Sequence, residues 1–197
     1  MSTTPYFDAV VIGASAGALE ALNVILPLLP ADFPLPIIGV VHLPPDRESL
    51  LCKLLNDRAA IAVVEAQDKE LLEGGKAYFA PPDYHLLIET DKSLSLSNEE
   101  QVLYSRPSID VMFESAADAL GDAVIGVVLT GANSDGAQGL KMIMDGGGEG
   151  LVQCSEECFS PAMPEAALAA CPAAKVMSLT QIAEYLIHAA TKTRMHI

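Results

Sequence analysis

Basic residues are scarce in this chain: Lys and Arg number 11 against 26 Asp and Glu, for a formal net charge of −15. No basic cluster offsets that sign, so nucleic acid and anionic lipid are excluded as partners. Long apolar runs are absent too, and none approaches the roughly 20 residues that cross a membrane. Met1 to Asp8 lacks the basic and apolar regions of a secretory signal, so direct membrane insertion is not expected and a cytoplasmic location is. The cysteines Cys52, Cys154, Cys158 and Cys171 form no C-x-x-C pair and have no neighbouring histidine pattern. They read as reduced thiols, and no metal site is expected. Linkers, repeats and low-complexity tracts are also missing, which leaves one domain over residues 1–197. With 51% hydrophobic and 19% charged residues, a chain of 197 can bury a substantial core.

What is present is alternation. Short Val- and Ile-rich runs at 9–12, 36–41, 60–65, 76–80, 123–130, 150–154 and 174–178 are apolar at nearly every position, as strands buried on both faces should be. Helical patterns separate them near 17–29, 48–58, 108–120, 136–145, 161–170 and 179–193. Pro27 and Pro30 should end or kink the first helix. Ser108 reads as an N-cap and Gly121 as a stop. Ser178-Leu179-Thr180-Gln181 reads as a capping box. His85–Glu89 and Leu94–Ser97 flank Thr90–Ser93 as an antiparallel hairpin near one sheet edge. The expected fold is therefore α/β: a three-layer, doubly wound, mostly parallel sheet with helices on both faces.

Ser15, His42 and Asp135 each follow a predicted strand, and in a parallel sheet such residues gather at the carboxyl ends. Ser15 lies in Gly13-Ala14-Ser15-Ala16-Gly17, the G-x-S-x-G pattern of a nucleophile on a strand-to-helix turn. Ala16 N–H is a natural oxyanion donor there. The same turn could bind phosphate or merely connect two elements. It lacks G-x-G-x-x-G spacing and a ribose-binding acid about 20 residues on, which disfavours a nucleotide site. His42 could take the serine proton, or be a partly buried structural histidine. His85, also on a strand, is a rival base or pocket residue, whereas His188 and His196 read as solvated. Asp135 could accept the Nδ1–H of His42, or cap its own helix. Together the three residues supply nucleophile, base and orienting acid, and no cofactor is required.

Several blocks in the same order make the chain resemble the catalytic domain of CheB-type protein-glutamate methylesterases. They are Val10–Gly17, Val41-His42-Leu43-Pro44-Pro45, Tyr78–His85, Ser105–Phe113, Leu129–Gly131 with Asp135–Ala137, and Ala162–Pro164. The resemblance runs over about 8–187. It implies hydrolysis of glutamate γ-methyl esters on chemoreceptor helices, with release of methanol and, in some members, deamidation of glutamine. It places the triad on Ser15, His42 and Asp135, oxyanion donors around Ala16 and Ala132, and His85 in the cleft. The family usually has Thr then Gly-Gly after the nucleophile, where this chain has Ala16, Gly17 and Ala18. Its methionine and glycine in the aspartate turn are here Ala132 and Asn133. No receiver domain precedes the match, so a stand-alone member is expected. A non-catalytic scaffold module of a signalling pathway is the alternative. Acidic receptor regions would be repelled by a charge of −15 unless Arg106, Lys53 or Arg47 made the cleft less negative.

Overall fold

Short runs rich in apolar residues, those at Ala9–Ala14, Ile37–Val41 and Val124–Val128 buried on both faces, are too short for stable helices and form strands. In the computed structural model of the protein, which describes residues 7–42 and 48–194, these are β1 (Ala9–Ala14), β2 (Ile37–Val41), β3 (Ala62–Glu65), β4 (Lys76–Phe79), β5 (His85–Ile88), β6 (Leu94–Ser97), β7 (Val124–Val128), β8 (Glu149–Gln153) and β9 (Lys175–Met177). The helices are α1 (Ala18–Ile25), α2 (Glu48–Asn56), α3 (Ile109–Leu120), α4 (Ala137–Asp145), α5 (Ala162–Ala170) and α6 (Leu179–Arg194). The Leu43-Pro44-Pro45 stretch, Arg47 and His196, singled out in the sequence, lie outside the described residues.

Seven strands form one parallel sheet in the order β3-β4-β2-β1-β7-β8-β9. Alternate residues of β1 divide the core. Val10, Ile12 and Ala14 pack with Leu22 and Ile25 of α1 and with Ile182 and Leu186 of α6. Ala9 and Val11 pack on the other side with Met112 and Phe113 of α3, Leu140 of α4 and Met163 of α5. The three layers expected from the sequence are thus present.

Local signals act as they read. The first helix ends at Ile25 and tightens into a 3-10 turn over Leu26–Leu28, with Pro27 in its first turn. Ser178 and Gln181 form both bonds of the capping box: Ser178 N–H donates to Oε1 of Gln181 (2.9 Å) and Gln181 N–H to Oγ of Ser178 (3.2 Å). On α2, Leu51 and Leu55 face the core while Leu50 and Leu54 are exposed.

The hairpin forms, antiparallel, as a two-stranded sheet of its own. Leu86, Ile88 and Leu94 share a core with Ile38, Val40 and Tyr78 and with α3. The Ile88 N–H donates to Ser115 Oγ of α3 (3.0 Å). The hairpin therefore covers the face of the sheet beside α3, held by apolar packing and by backbone bonds to the segment between β3 and β4, where Leu94 N–H donates to the Glu70 carbonyl (2.8 Å) and Leu72 N–H to the Lys92 carbonyl (3.0 Å).

After β1 the chain turns into α1 on one face, and after the neighbouring β7 it turns into α4 on the other. The two connections diverge and open a crevice at the carboxyl ends of the strands. Ser15 leaves β1 into it, His42 leaves β2, and the turn carrying Asp135 leaves β7.

Candidate active site

Neither glycine of Gly13-x-Ser15-x-Gly17 has room for a side chain. A Cβ on Gly13 would lie 2.3 Å from Cγ2 of Ile109 at the start of α3. Gly17 has φ +85, and a Cβ there would lie 2.5 Å from Cβ of Phe159. Gly17→Ala therefore combines left-handed strain with a clash, and a loss of about 1–3 kcal/mol is expected in urea unfolding. An unchanged midpoint would mean that the turn can rearrange.

The serine turn is pinned by Thr130, at the end of β7. Ser15 N–H donates to the Thr130 carbonyl (2.9 Å). Thr130 Oγ1 donates to the Ala16 carbonyl (2.8 Å) and accepts from Ser160 N–H (2.9 Å). Gln153 Oε1 in turn accepts Thr130 N–H (2.8 Å). Among the described residues, the Ala16 and Gly17 N–H groups have no acceptor. They are unpaired donors at a helix start, beside the Ser15 hydroxyl.

Ser15 and His42 line one cleft of about 640 Å³. Leu50, Leu51 and Leu54 of α2 form its apolar wall, and among the described lining residues Glu20 is the one charged side chain. Ser15 and His42 make no hydrogen bond to each other among the described residues; such contacts commonly tighten only when substrate binds.

The His42 ring is tied to Asp135, with Nε2 2.9 Å from Oδ2. The sequence reading put Asp135 on Nδ1, and the structure corrects this. His42 follows β2 and Asp135 follows β7, with β1 between them, so the imidazole must reach across about 10 Å of sheet. Its outer nitrogen makes the contact. Nδ1 is left 3.4 Å from Nδ2 of Asn133.

Asp135 is 0% exposed. It does not cap its own helix: Gly136 is the N-cap of α4, with no side-chain bond. Its carboxylate instead caps α3. Oδ1 accepts from Asp110 N–H (2.9 Å) and Ser108 Oγ (3.0 Å), and Oδ2 from Ile109 N–H (2.7 Å) besides His42. Asp110 of α3 answers by capping α4, its Oδ1 accepting from Gly136 N–H (2.9 Å) and Gly139 N–H (2.8 Å). Burial opposes the charge of Asp135, but the His42 bond and the amides of Asp110 and Ile109 outweigh it and hold the carboxyl below the usual range.

Asp110 goes the other way. Burial and the neighbouring Asp135 carboxylate, against the opposing amide bonds, raise it to about 6. Between the ordinary carboxylate range and about 6, folding then takes up a proton at Asp110. Its contribution to stability rises as pH falls through about 6 and is lost as pH rises. Asp110→Asn keeps a single oxygen for both glycine amides and removes the charge. The variant is expected to be at least as stable as the wild type at pH 7.5 and to lose part of the pH dependence between 4 and 7 in urea titrations. An unchanged pH slope would remove Asp110 as its source.

Four other expected residues are not among those lining the Ser15 cleft. His85 is 2% exposed, its Nδ1 accepting Ser108 N–H (3.1 Å) and its Nε2 3.0 Å from the Glu100 carbonyl. Both nitrogens are engaged in holding the entry to α3, so the rival-base reading has no lone pair facing the cleft. Ala132 is exposed on the turn after β7 and is not among the residues lining the Ser15 cleft. Arg106 pairs with Asp83 (2.6 Å) and donates to the carbonyls of Asn98 and Glu99, so its charge is spent there. Lys53 is exposed on α2. Sequence reading did not single out Thr130, Gln153 or the cap exchange by Asp110. A polar residue ending an otherwise apolar strand, as Thr130 and Gln153 do, is the signal that was available.

The CheB methylesterase family profile matches residues 10–186. A protein of Archaeoglobus fulgidus described as protein-glutamate methylesterase/protein-glutamine glutaminase is 35% identical over 181 residues, covering 90% of this chain and 52% of its own length. A Leptospira interrogans protein that carries the same two activities in its name, provisionally, is 46% identical over 181 residues, 92% of this chain and 94% of its own. The crystal structure of the Thermotoga maritima CheB methylesterase catalytic domain superposes with a TM-score of 0.89 at 32% identity, covering 92% of this chain and 98% of that one.

Proposed function

Because the chain belongs to the CheB methylesterase family, we propose that it hydrolyses glutamate γ-methyl esters on receptor helices, with Ser15, His42 and Asp135 as its triad. The observation that carries this reading is the buried, fully donated Asp135 on Nε2 of His42, with His42 and Ser15 sharing one cleft. Ser15 Oγ attacks the ester carbonyl while Nδ1 of His42 takes its proton. Asp135 stabilises the imidazolium through Nε2–H. Ala16 N–H receives the oxyanion, with the unpaired Gly17 N–H beside it as a second donor. The imidazolium then protonates departing methanol, and water, activated by the same nitrogen, releases the acyl group as glutamate. The neutral methyl ester suits a cleft walled by leucines, and Glu20, the one charged side chain among its described lining residues, disfavours the carboxylate product. A glutamine side chain would follow the same path with ammonia as leaving group, matching the second activity in the relatives' names.

The substrate projects from a protein helix, and in this reading docking takes place on the cytoplasmic side of a signalling receptor. No described helix of this chain is long and apolar enough to cross a membrane. The test is release of labelled methanol from receptor fragments carrying γ-methyl esters. Turnover in proportion to protein is the expected result. None with several receptor fragments would favour the scaffold role.

A further inference from the structure

Asn133 stands in the turn between β7 and Asp135, and its side chain is used at both ends. Oδ1 accepts the N–H of Asp135 (3.2 Å). That bond fixes the amide's orientation, since an N–H donor must meet the oxygen end. The NH2 end therefore faces His42, with Nδ2 3.4 Å from Nδ1. On the far side of the ring, Nε2 meets the Asp135 carboxylate, which accepts and cannot donate. The ring proton is thus on Nε2 and the lone pair on Nδ1, where the Asn133 amide donates to it.

We propose that Asn133 is a positioning residue for the proton-transfer step, holding the basic nitrogen of His42 as an acceptor until the serine hydroxyl displaces it. The contact is long for a hydrogen bond, so displacing it costs little. It nevertheless fixes the ring at both edges, and it rejects any state in which Nδ1 carries a resting proton, because two donors would then face each other. The inference rests on the triad reading for its catalytic meaning, but not for its structural content.

Asn133→Asp separates the two. The variant keeps an oxygen for the Asp135 amide and replaces the donor with an acceptor. His42 then lies between two carboxylates, which favours a proton on both ring nitrogens. Among the described residues, the ionisable groups around it are Asp135 on Nε2, Asp110 behind Asp135, and Glu20 on the same cleft wall.

The experiment is 15N NMR of the histidine ring nitrogens in the intact chain at pH 8, with His42 assigned from a His42→Gln spectrum, followed by methyl-ester hydrolysis across pH. In the wild type, Nε2 should carry the proton and Nδ1 should show an acceptor shift. In Asn133→Asp both nitrogens should be protonated. In Asn133→Ala the tautomer should persist while Nδ1 moves toward the shift of an unbonded acceptor. For Asn133→Asp, kcat should fall about 10²-fold near pH 7 with little change in KM, and recover at higher pH. Nitrogen shifts and a pH profile unchanged in both variants would overturn the proposal. The NMR arm needs no substrate, so a wild type that shows the expected shifts but releases no methanol refutes the esterase reading and leaves the Asn133 contact standing. If Asn133→Asp misfolds, Asn133→Ala carries the test alone.

Discussion

Ser15→Ala is expected to abolish methanol release from methylated receptor fragments, lowering kcat by at least about 10⁴-fold while the fold and receptor binding persist. The side chain is partly exposed at a turn whose backbone is held by Thr130, and its hydroxyl makes no hydrogen bond among the described residues. Losing one oxygen there removes the nucleophile and little else. Circular dichroism and urea unfolding should match the wild type within about 0.5 kcal/mol. What remains of the rate would come from the oxyanion donors and from binding. Equal release by both proteins would sink the serine mechanism. Equal absence of release, with receptor binding intact, would make the chain a scaffold.

Asp135→Ala should behave differently, losing activity and stability together. The rate should drop about 10⁴-fold, because His42 loses the partner that fixes its tautomer and supports the imidazolium. Stability should fall by about 3 kcal/mol or more, because the amides of Ile109 and Asp110 and the hydroxyl of Ser108 are left buried without an acceptor. Asp135→Asn does not rescue the site. Both carboxylate oxygens receive two donors each, so whichever position becomes NH2 faces donors. Thermal unfolding of the two variants beside Ser15→Ala makes the comparison. An Asp135 variant as stable as Ser15→Ala would mean that water or a shifted α3 satisfies those groups.

The sheet was legible because β1, β2 and β7 are buried on both faces, which forces continuous Val and Ile. Alternation of such runs with amphipathic stretches leaves few arrangements open. Caps were legible for the same local reason, as Ser178 with Gln181 shows. The packing of the hairpin was not. Its strands and its place near one edge read correctly, but the surface it covers depends on apolar contacts with α3 that are distant in sequence. The positions of Ser15, His42 and Asp135 followed from strand ends, while the nitrogen used by His42 did not. That depends on β1 lying between β2 and β7, a matter of strand order. His85 shows the complementary limit: a histidine on a strand looks the same in sequence whether it faces a cleft or, as here, holds two backbone groups beneath it.

The crossed carboxylates of α3 and α4 bear on how chains of this kind should be sorted. Asp135 and Asp110 each close the start of the helix that the other belongs to or precedes. A descendant that had abandoned chemistry would still need Asp135, and an acceptor oxygen at position 110, to keep its helices docked. The aspartate is therefore a poor diagnostic of an active member, although it touches the base directly. Serine and histidine have no comparable structural duty, and they can drift as soon as turnover is no longer selected. Telling hydrolases from their silent cousins should weigh those two positions and disregard the acid.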